Sequence, residues 1–235
     1  MRIGIVTDIH SNAAALRAVL DEFSRRDAAR FVCCGDIVGI GPEPEETVRT
    51  LQSAQGLLAC VRGNHETYWD GAEAIGMSEG EKRHHRWQCE NAGEASRAFL
   101  RTLPETATVR CGERTLYAAH YALAAQGRYA PFAPHPDERT LEAMFPAPLG
   151  DIVCYGHDHA PHIAEAGNRL FINAGALGCP MGAGGMARAV ILHIEGREVR
   201  TERLCVPYDV QAVIARIRAL AYPDCENILR WFYGV

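Results

Sequence analysis

The stretch Ile3-Gly4-Ile5-Val6-Thr7-Asp8-Ile9-His10 decides how the chain is read. Four apolar residues run without polar alternation, as in a strand buried on both faces, and a carboxylate and an imidazole follow two residues apart. The same order recurs three times. Phe31–Cys34 leads into Gly35-Asp36, Leu57–Val61 into Gly63-Asn64-His65-Glu66, and Ile152–Tyr155 into Gly156-His157-Asp158-His159. A fifth run, ending Tyr117-Ala118-Ala119, leads into His120.

Between the early runs lie helical patterns. Asn12–Arg26 carries Leu16, Val19, Leu20 and Phe23 on one face, and Pro44–Gln55 carries Val48 and Leu51. The alternation predicts a layered α/β fold with two packed, mixed β-sheets flanked by helices. Helices are further predicted over Ser78–Arg101, Asp137–Phe145 and Asp209–Leu220, the last capped by Asp209. Hairpins are predicted at Thr106–Cys111 with Arg114–Ala119, and at Ala187–Ile194 with Glu198–Val206, giving a second, more antiparallel sheet. No repeat or low-complexity tract interrupts the 235 residues. Residues 1–235 are expected to form one domain, with 207–235 as a C-terminal helical appendage. Gly182–Gly185 reads as a flexible loop.

The 24 Lys+Arg against 29 Asp+Glu leave a formal charge of −5, with no basic stripe of the kind that neutralises duplex nucleic acid. A membrane surface is excluded as main partner on the same ground. The nine cysteines include no C-x-x-C pair, and Cys33, Cys34, Cys60, Cys111, Cys154 and Cys205 fall in or beside apolar runs, as buried free thiols do. With no signal-peptide core and no apolar stretch of about 18 residues, a cytoplasmic location is expected.

Asp, His and Asn at the C-terminal ends of successive strands converge on one sheet edge. Carboxylate, imidazole and amide donors form a ligand set for borderline divalent ions. A lone Asp after a strand is usually a helix cap and a lone His-x-His usually a surface pair. Four such motifs in order, with His120 after a fifth strand, are poorly explained as coincidence.

This set resembles the calcineurin-like metallophosphoesterase family, whose D-x-H, GD, GNH[D/E], single H and GH-x-H pattern is met by the residues quoted, over roughly Met1 to Gly178. Among its members the chain is similar to the small bacterial and archaeal phosphodiesterase-like proteins, through Gly35–Pro42 and the turn Asn173-Ala174-Gly175-Ala176-Leu177-Gly178. The resemblance implies a four-layer sandwich and two divalent ions, manganese first, with Fe, Ni, Zn or Mg as alternatives. It implies Asp8, His10, Asp36 and His159 as ligands of one ion and Asp36, Asn64, His120 and His157 as ligands of the other, with Asp36 bridging. It further implies in-line attack by a bridging hydroxide on a small phosphate ester, with His65 protonating the leaving oxygen. Catalysis would thus rest on Asp36 and His65, with Glu66 either orienting His65 or serving the helix start.

A phosphodiester is the substrate this branch implies. A phosphomonoester, whether of a nucleotide or a phosphoprotein, is the rival within the same chemistry, and a non-catalytic scaffold is the rival from another class. Three departures from the pattern stand out. Tyr121 follows His120 where many members have Gly and is expected to narrow the approach. The 173–178 turn lacks the usual Pro and Ser. Gly39-Ile40-Gly41-Pro42 occupies the stretch where Ser/Thr protein phosphatases carry an Arg. Arg62, Arg128, Tyr129, His135 and Arg188 are possible substrate contacts. The run Lys82-Arg83-His84-His85-Arg86-Trp87 reads as the wet face of a helix, with nucleotide binding as the alternative. Trp231-Phe232-Tyr233 is expected to pack the last helix onto the body or onto a second subunit, which would make a homodimer.

Overall fold

The computed structural model describes residues 1–71, 77–124, 129–133, 135–179 and 184–235. Arg128 and the first half of the predicted Gly182–Gly185 loop, Gly182-Ala183, lie outside these residues. Strands β1 (Arg2–Val6), β2 (Arg30–Cys33) and β3 (Leu57–Cys60) are parallel and are linked through helices α1 (Ala13–Arg25) and α2 (Pro44–Ser53). After β3 come α3 (Asn64–Trp69), α4 (Glu79–Glu90) and α5 (Glu94–Thr102). Then follow β4 (Thr106–Cys111), β5 (Arg114–Ala119), α6 (Glu138–Met144), β6 (Ile152–Tyr155), β7 (His162–Ala166) and β8 (Arg169–Asn173). The chain closes with β9 (Met186–Glu195), β10 (Glu198–Pro207), α7 (Val210–Leu220), α8 (Cys225–Ile228) and a π-helical turn at Leu229–Tyr233.

Two five-stranded sheets result, ordered β10-β9-β1-β2-β3 and β4-β5-β6-β8-β7. Both are mixed, as expected, but the β9–β10 hairpin extends the first sheet through the antiparallel β1–β9 pair and does not join the second. Only the β4–β5 hairpin and β7 give the second sheet its antiparallel edges.

The lack of polar alternation has a direct cause. Ile3, Ile5, Val32, Val190 and Leu192 from the first sheet meet Leu116, Ala118, Ile152, Cys154 and Ile172 from the second. The intervening residues Val6, Phe31, Cys33, Ala189 and Ile191 face Leu16, Val19, Phe23, Val48 and Leu51 of α1 and α2. On the far side, Tyr155 and Phe171 pack with Leu141 and Phe145 at α6. Each buried Leu, Ile or Phe side chain contributes roughly 1.5–3 kcal/mol of burial free energy. The layers are helix, sheet, sheet, helix.

Cys205 departs from expectation, being exposed while the other five cysteines named with it are buried. It lies on the outward-facing register of edge strand β10, between buried Leu204 and Val206. The single helix expected over Ser78–Arg101 is broken. Asn91 caps α4, its Nδ2 donating to the Trp87 carbonyl at 2.8 Å, and Gly93 starts α5. Asp209 caps α7 as predicted, Oδ1 accepting from Ala212 N at 2.9 Å. Among the described residues, no helix is long and apolar enough to cross a membrane.

Candidate metal centre

Asp8, Asp36, Asn64, His120, His157 and His159 all follow the C-terminal ends of β1, β2, β3, β5 and β6, and the sheets bring them together. The local backbone is unusual. Asp8, His10, Asp36, His157 and His159 all have positive φ, from 48 to 79°, a left-handed region that costs a non-glycine residue about 1–3 kcal/mol. Five strained residues at one edge are held there by hydrogen bonds from neighbouring loops. Asp8 N donates to Gly35 O at 3.0 Å, His10 N to Asp36 O at 2.9 Å and Gly178 N to Asp8 O at 3.0 Å. The 173–178 turn therefore braces Asp8 through its backbone although it lacks the usual Pro and Ser.

His10, Asp8, His159 and Asp36 form one cluster. His10 Nε2 lies 3.0 Å from His159 Nε2, 3.7 Å from Asp8 Oδ1 and 3.8 Å from Asp36 Oδ2, and His159 Nε2 lies 3.4 Å from Asp8 Oδ1. Four donors about 2.1 Å from one tetrahedral ion would be separated by roughly 3.4 Å. In the second cluster, His120 Nε2 is 3.2 Å from Asp36 Oδ2 and 3.0 Å from Asn64 Oδ1, and His157 Nδ1 is 2.9 Å from the same amide oxygen. Asp36 belongs to both clusters, its Oδ1 held by the His65 amide at 3.0 Å.

The donor chemistry fits cations. His10 Nδ1 and His120 Nδ1 face the carbonyls of Val38 at 3.2 Å and Cys34 at 2.8 Å, which can only accept, so each ring must carry its proton there. Their Nε2 lone pairs then point at other acceptors, which requires a proton or a metal ion between them. With no ion, protons fill the role. Burial opposes charge on His120, but Asp36 and then Asp8 outweigh it and lift its pKa to about 9. Burial likewise works against charge on Asp8, yet His159 and His120 bring it down to about 2. Asp36 lies well below the carboxylate range because His120, His65 and His10 outweigh its burial. Burial and His120 push His157 down to about 4.

Supporting residues explain the precision. Asn64 Nδ2 donates to the Tyr68 hydroxyl at 3.2 Å, one helical turn along α3, which turns the amide oxygen toward His120 and His157. Gly63 allows the close approach, since a Cβ there would lie 2.1 Å from Asp36 Oδ1. Glu66 does not orient His65. Its Oε2 accepts from Asp36 N at 3.0 Å and Gly63 N at 2.7 Å, and its Oε1 from Ile37 N at 2.9 Å and Val38 N at 3.1 Å. It clamps two ligand-bearing loops to one another. Burial and Asp36 push its pKa up to about 7, against the pull of those amides. Gln88 of α4, missed in the sequence, staples the loops from above. It accepts from Ser11 Oγ at 2.7 Å and donates to Gly41 O at 2.6 Å.

The run at 82–87 is not the wet face of its helix. His84 and His85 are buried, and His85 packs edge-on to His65 at 4.8 Å. Trp87 stacks on Tyr222 at 4.5 Å. Tyr121 does not narrow an approach, because it is fully buried, tilted against His157 at 4.9 Å with its hydroxyl accepting from Ala133 N at 2.9 Å. Arg62 is tied to Asp70 at 2.9 Å, and Arg188 lies beside Gly175. His135 contacts His162, whereas Tyr129 reaches His120 and His157 at 5.7 and 5.3 Å. Phe232 lies 5.9 Å from His159, so the C-terminal aromatics pack on the body, with Trp231 exposed. A surface groove of about 910 Å³ opens at the other ends of the strands, beside Arg114, Asp151 and Arg169, and contains none of the candidate ligands.

The calcineurin-like phosphoesterase superfamily domain matches residues 1–197. The chain belongs to this family. An uncharacterised protein of Methanocaldococcus jannaschii is 26% identical over 252 residues, covering 94% of each chain. The crystal structure of a metallophosphoesterase from Sphaerobacter thermophilus superposes with a TM-score of 0.75 over 100% of this chain and 99% of that one, at 24% identity. A structure described as a novel archaeal phosphodiesterase gives 0.53 over 87% of this chain and 100% of that one, at 19% identity. The superpositions establish a shared layered fold, and the family is one of metal-dependent phosphoric ester hydrolases acting on small phosphate esters.

Proposed function

We propose that this phosphoesterase is a dinuclear enzyme that hydrolyses a small phosphodiester. One observation carries the reading. Asp36 Oδ2 lies between His120 Nε2 at 3.2 Å and His10 Nε2 at 3.8 Å, so a single carboxylate joins two sets of donors. Asp8, His10, Asp36 and His159 would hold one ion, and Asp36, Asn64, His120 and His157 the other. The mixture of oxygen and imidazole donors suits the manganese-to-zinc series, manganese first. When bound, two such ions supply a water activated at neutral pH and draw charge from the phosphoryl oxygens.

The chain's own residues do the rest. His65 faces the shared carboxylate, its Nε2 3.9 Å from Asp36 Oδ2. Burial keeps its pKa well below the ordinary histidine range in the free protein, so it is a neutral N–H donor. An anionic phosphate alongside raises its proton affinity and suits it to protonate the leaving oxygen. A diester is favoured over a monoester by the family branch that Gly35–Pro42 and the 173–178 turn resemble. Tyr129 beside His157, and Phe132 at 57% exposure and 6.4 Å from the same ring, provide a flat apolar rim suited to an aryl or nucleoside ester. Nine free cysteines accord with a cytoplasmic setting.

The test is hydrolysis of bis-p-nitrophenyl phosphate and p-nitrophenyl phosphate by chelator-stripped protein, with and without manganese, beside Asp36→Asn. Metal-restored turnover on the diester, lost in the variant, is the expected result. Turnover confined to the monoester would overturn the diester reading, and none on either ester with any divalent ion would overturn the enzyme.

A further inference from the structure

His10, His120 and His159 each present Nε2 toward the candidate centre, and each must have its other nitrogen fixed. For His10 and His120 that is done by main-chain carbonyls, Val38 O and Cys34 O. For His159 the atom facing Nδ1 is the sulfur of Cys179, at 3.6 Å. Cys179 is 1% exposed and directly follows the turn whose Gly178 amide bonds Asp8 O. It is thus anchored by the segment that braces the neighbouring candidate ligand. Its sulfur is within 4.8 Å of donor atoms of both His10 and His159.

We propose that Cys179 is a positioning residue for the first cluster. Its sulfur accepts the His159 Nδ1–H, fixing the tautomer that leaves Nε2 free to face Asp8 and His10, and so sets the affinity of that cluster for its ion. The inference rests on the dinuclear reading above. Partners of this kind change metal affinity by about 10–100-fold when removed. A sulfur in this role differs from the carbonyls in one respect: it is a side chain, so the affinity of one cluster can be altered without touching any ligand.

The experiment is cobalt(II) titration of chelator-stripped parent, Cys179→Ser and Cys179→Ala, followed by calorimetry and absorption, with long-range nitrogen NMR reading the His159 tautomer. The parent is expected to take two ions. In the alanine variant affinity for one ion should fall about 10–100-fold, with the other unchanged and His159 no longer held as the Nδ1–H form. Serine, which keeps an acceptor, should restore both. Equal affinities and an unchanged tautomer in all three proteins would overturn the inference and leave the dinuclear reading intact. A sulfur-to-cobalt charge-transfer band in the parent, absent from both variants, would overturn it differently, making Cys179 a direct ligand. A parent that binds fewer than two ions would overturn the dinuclear reading itself, and with it this role. Thermal unfolding of the metal-free proteins separates these outcomes from loosened packing against Ile40, Ala176 and Ile214.

Discussion

The Glu66 carboxylate accepts the backbone N–H of Asp36 at 3.0 Å, so the residue two positions after Asn64 holds the loop that carries the shared aspartate. With amides of Ile37, Val38 and Gly63 bound to the same carboxylate, loops from β2 and β3 are pinned together by one buried side chain. Glu66→Gln keeps the shape but puts an NH₂ where two N–H groups now point. A buried donor left unpaired costs about 1–3 kcal/mol, so stability should drop by about that much. Metal affinity should fall about 10–100-fold. Unfolding midpoints and manganese titration of the purified variant check both, and a variant with parental stability would show that the clamp is dispensable.

Gly39 has φ of +92°, and a Cβ there would lie 2.1 Å from His65 Nδ1. Neither strain nor contact is relieved by a small shift, because Gly39 N is also bonded to Gln88 Oε1 at 3.3 Å. Gly39→Ala should push the imidazole away from the shared carboxylate while leaving the candidate ligands in place. Removing a general acid typically costs about 10²–10⁴ in rate. The expected result is a fall in kcat toward that of His65→Ala, with full metal content by elemental analysis. Undiminished kcat would remove His65 from the reaction.

The succession of strands and the converging edge were legible because β1, β2 and β6 are buried on both faces, which leaves continuous apolar runs ending abruptly in Asp or His, whereas the sheet that the β9–β10 hairpin joins was not, because pairing between distant strands leaves no local pattern. For Glu66 only the helix-start role, met by the Gly63 amide, was legible, since a carboxylate in the first turn of a helix looks alike whether or not it also reaches three amides of another loop. His84 and His85 were misread for a related reason. Charged Lys82, Arg83 and Arg86 hide an inward face that only the approach of Tyr222 and Tyr68 reveals. Cys205 shows the converse, as an apolar run on an edge strand still has an outer side. Cys179 drew no notice because its partner His159 is 20 residues away in sequence and its own surroundings, Gly178 and Pro180, carry no metal-site signature.

In the metal-free protein His120 has a pKa of about 9 against an ordinary 6.5. Because the folded value is raised, the stabilisation it gives is complete below pH 6.5 and is lost as pH climbs through 9. Metal binding requires the same lone pair and so displaces that proton. Between pH 6.5 and 9 the metal-free protein should therefore lose thermal stability while its affinity for manganese rises, with proton release on binding at pH 7. Calorimetry in buffers of different ionisation enthalpy measures that release directly. Zero release would mean that His120 is neutral before the ion arrives.

His84 is buried beside Trp87 and Tyr222, with Nδ1 3.2 Å from the Pro223 carbonyl, and burial followed by the neighbouring His85 pushes its pKa down to about 3. Here the folded value is depressed for a base. Below pH 6.5 the unfolded chain takes up a proton that the folded chain does not, so stability falls as pH drops from 6.5 toward 3. His85, lowered to about 4 chiefly by its own burial, acts in the same direction. Since His84 joins α4 to the C-terminal segment and His85 joins it to α3, acid should loosen these contacts before the paired sheets open. Trp87 fluorescence is expected to change at a higher pH than the far-ultraviolet circular dichroism, and His84→Gln should move the fluorescence transition to lower pH. Coincident transitions, unmoved by the substitution, would mean that the α4 contact has no separate acid response.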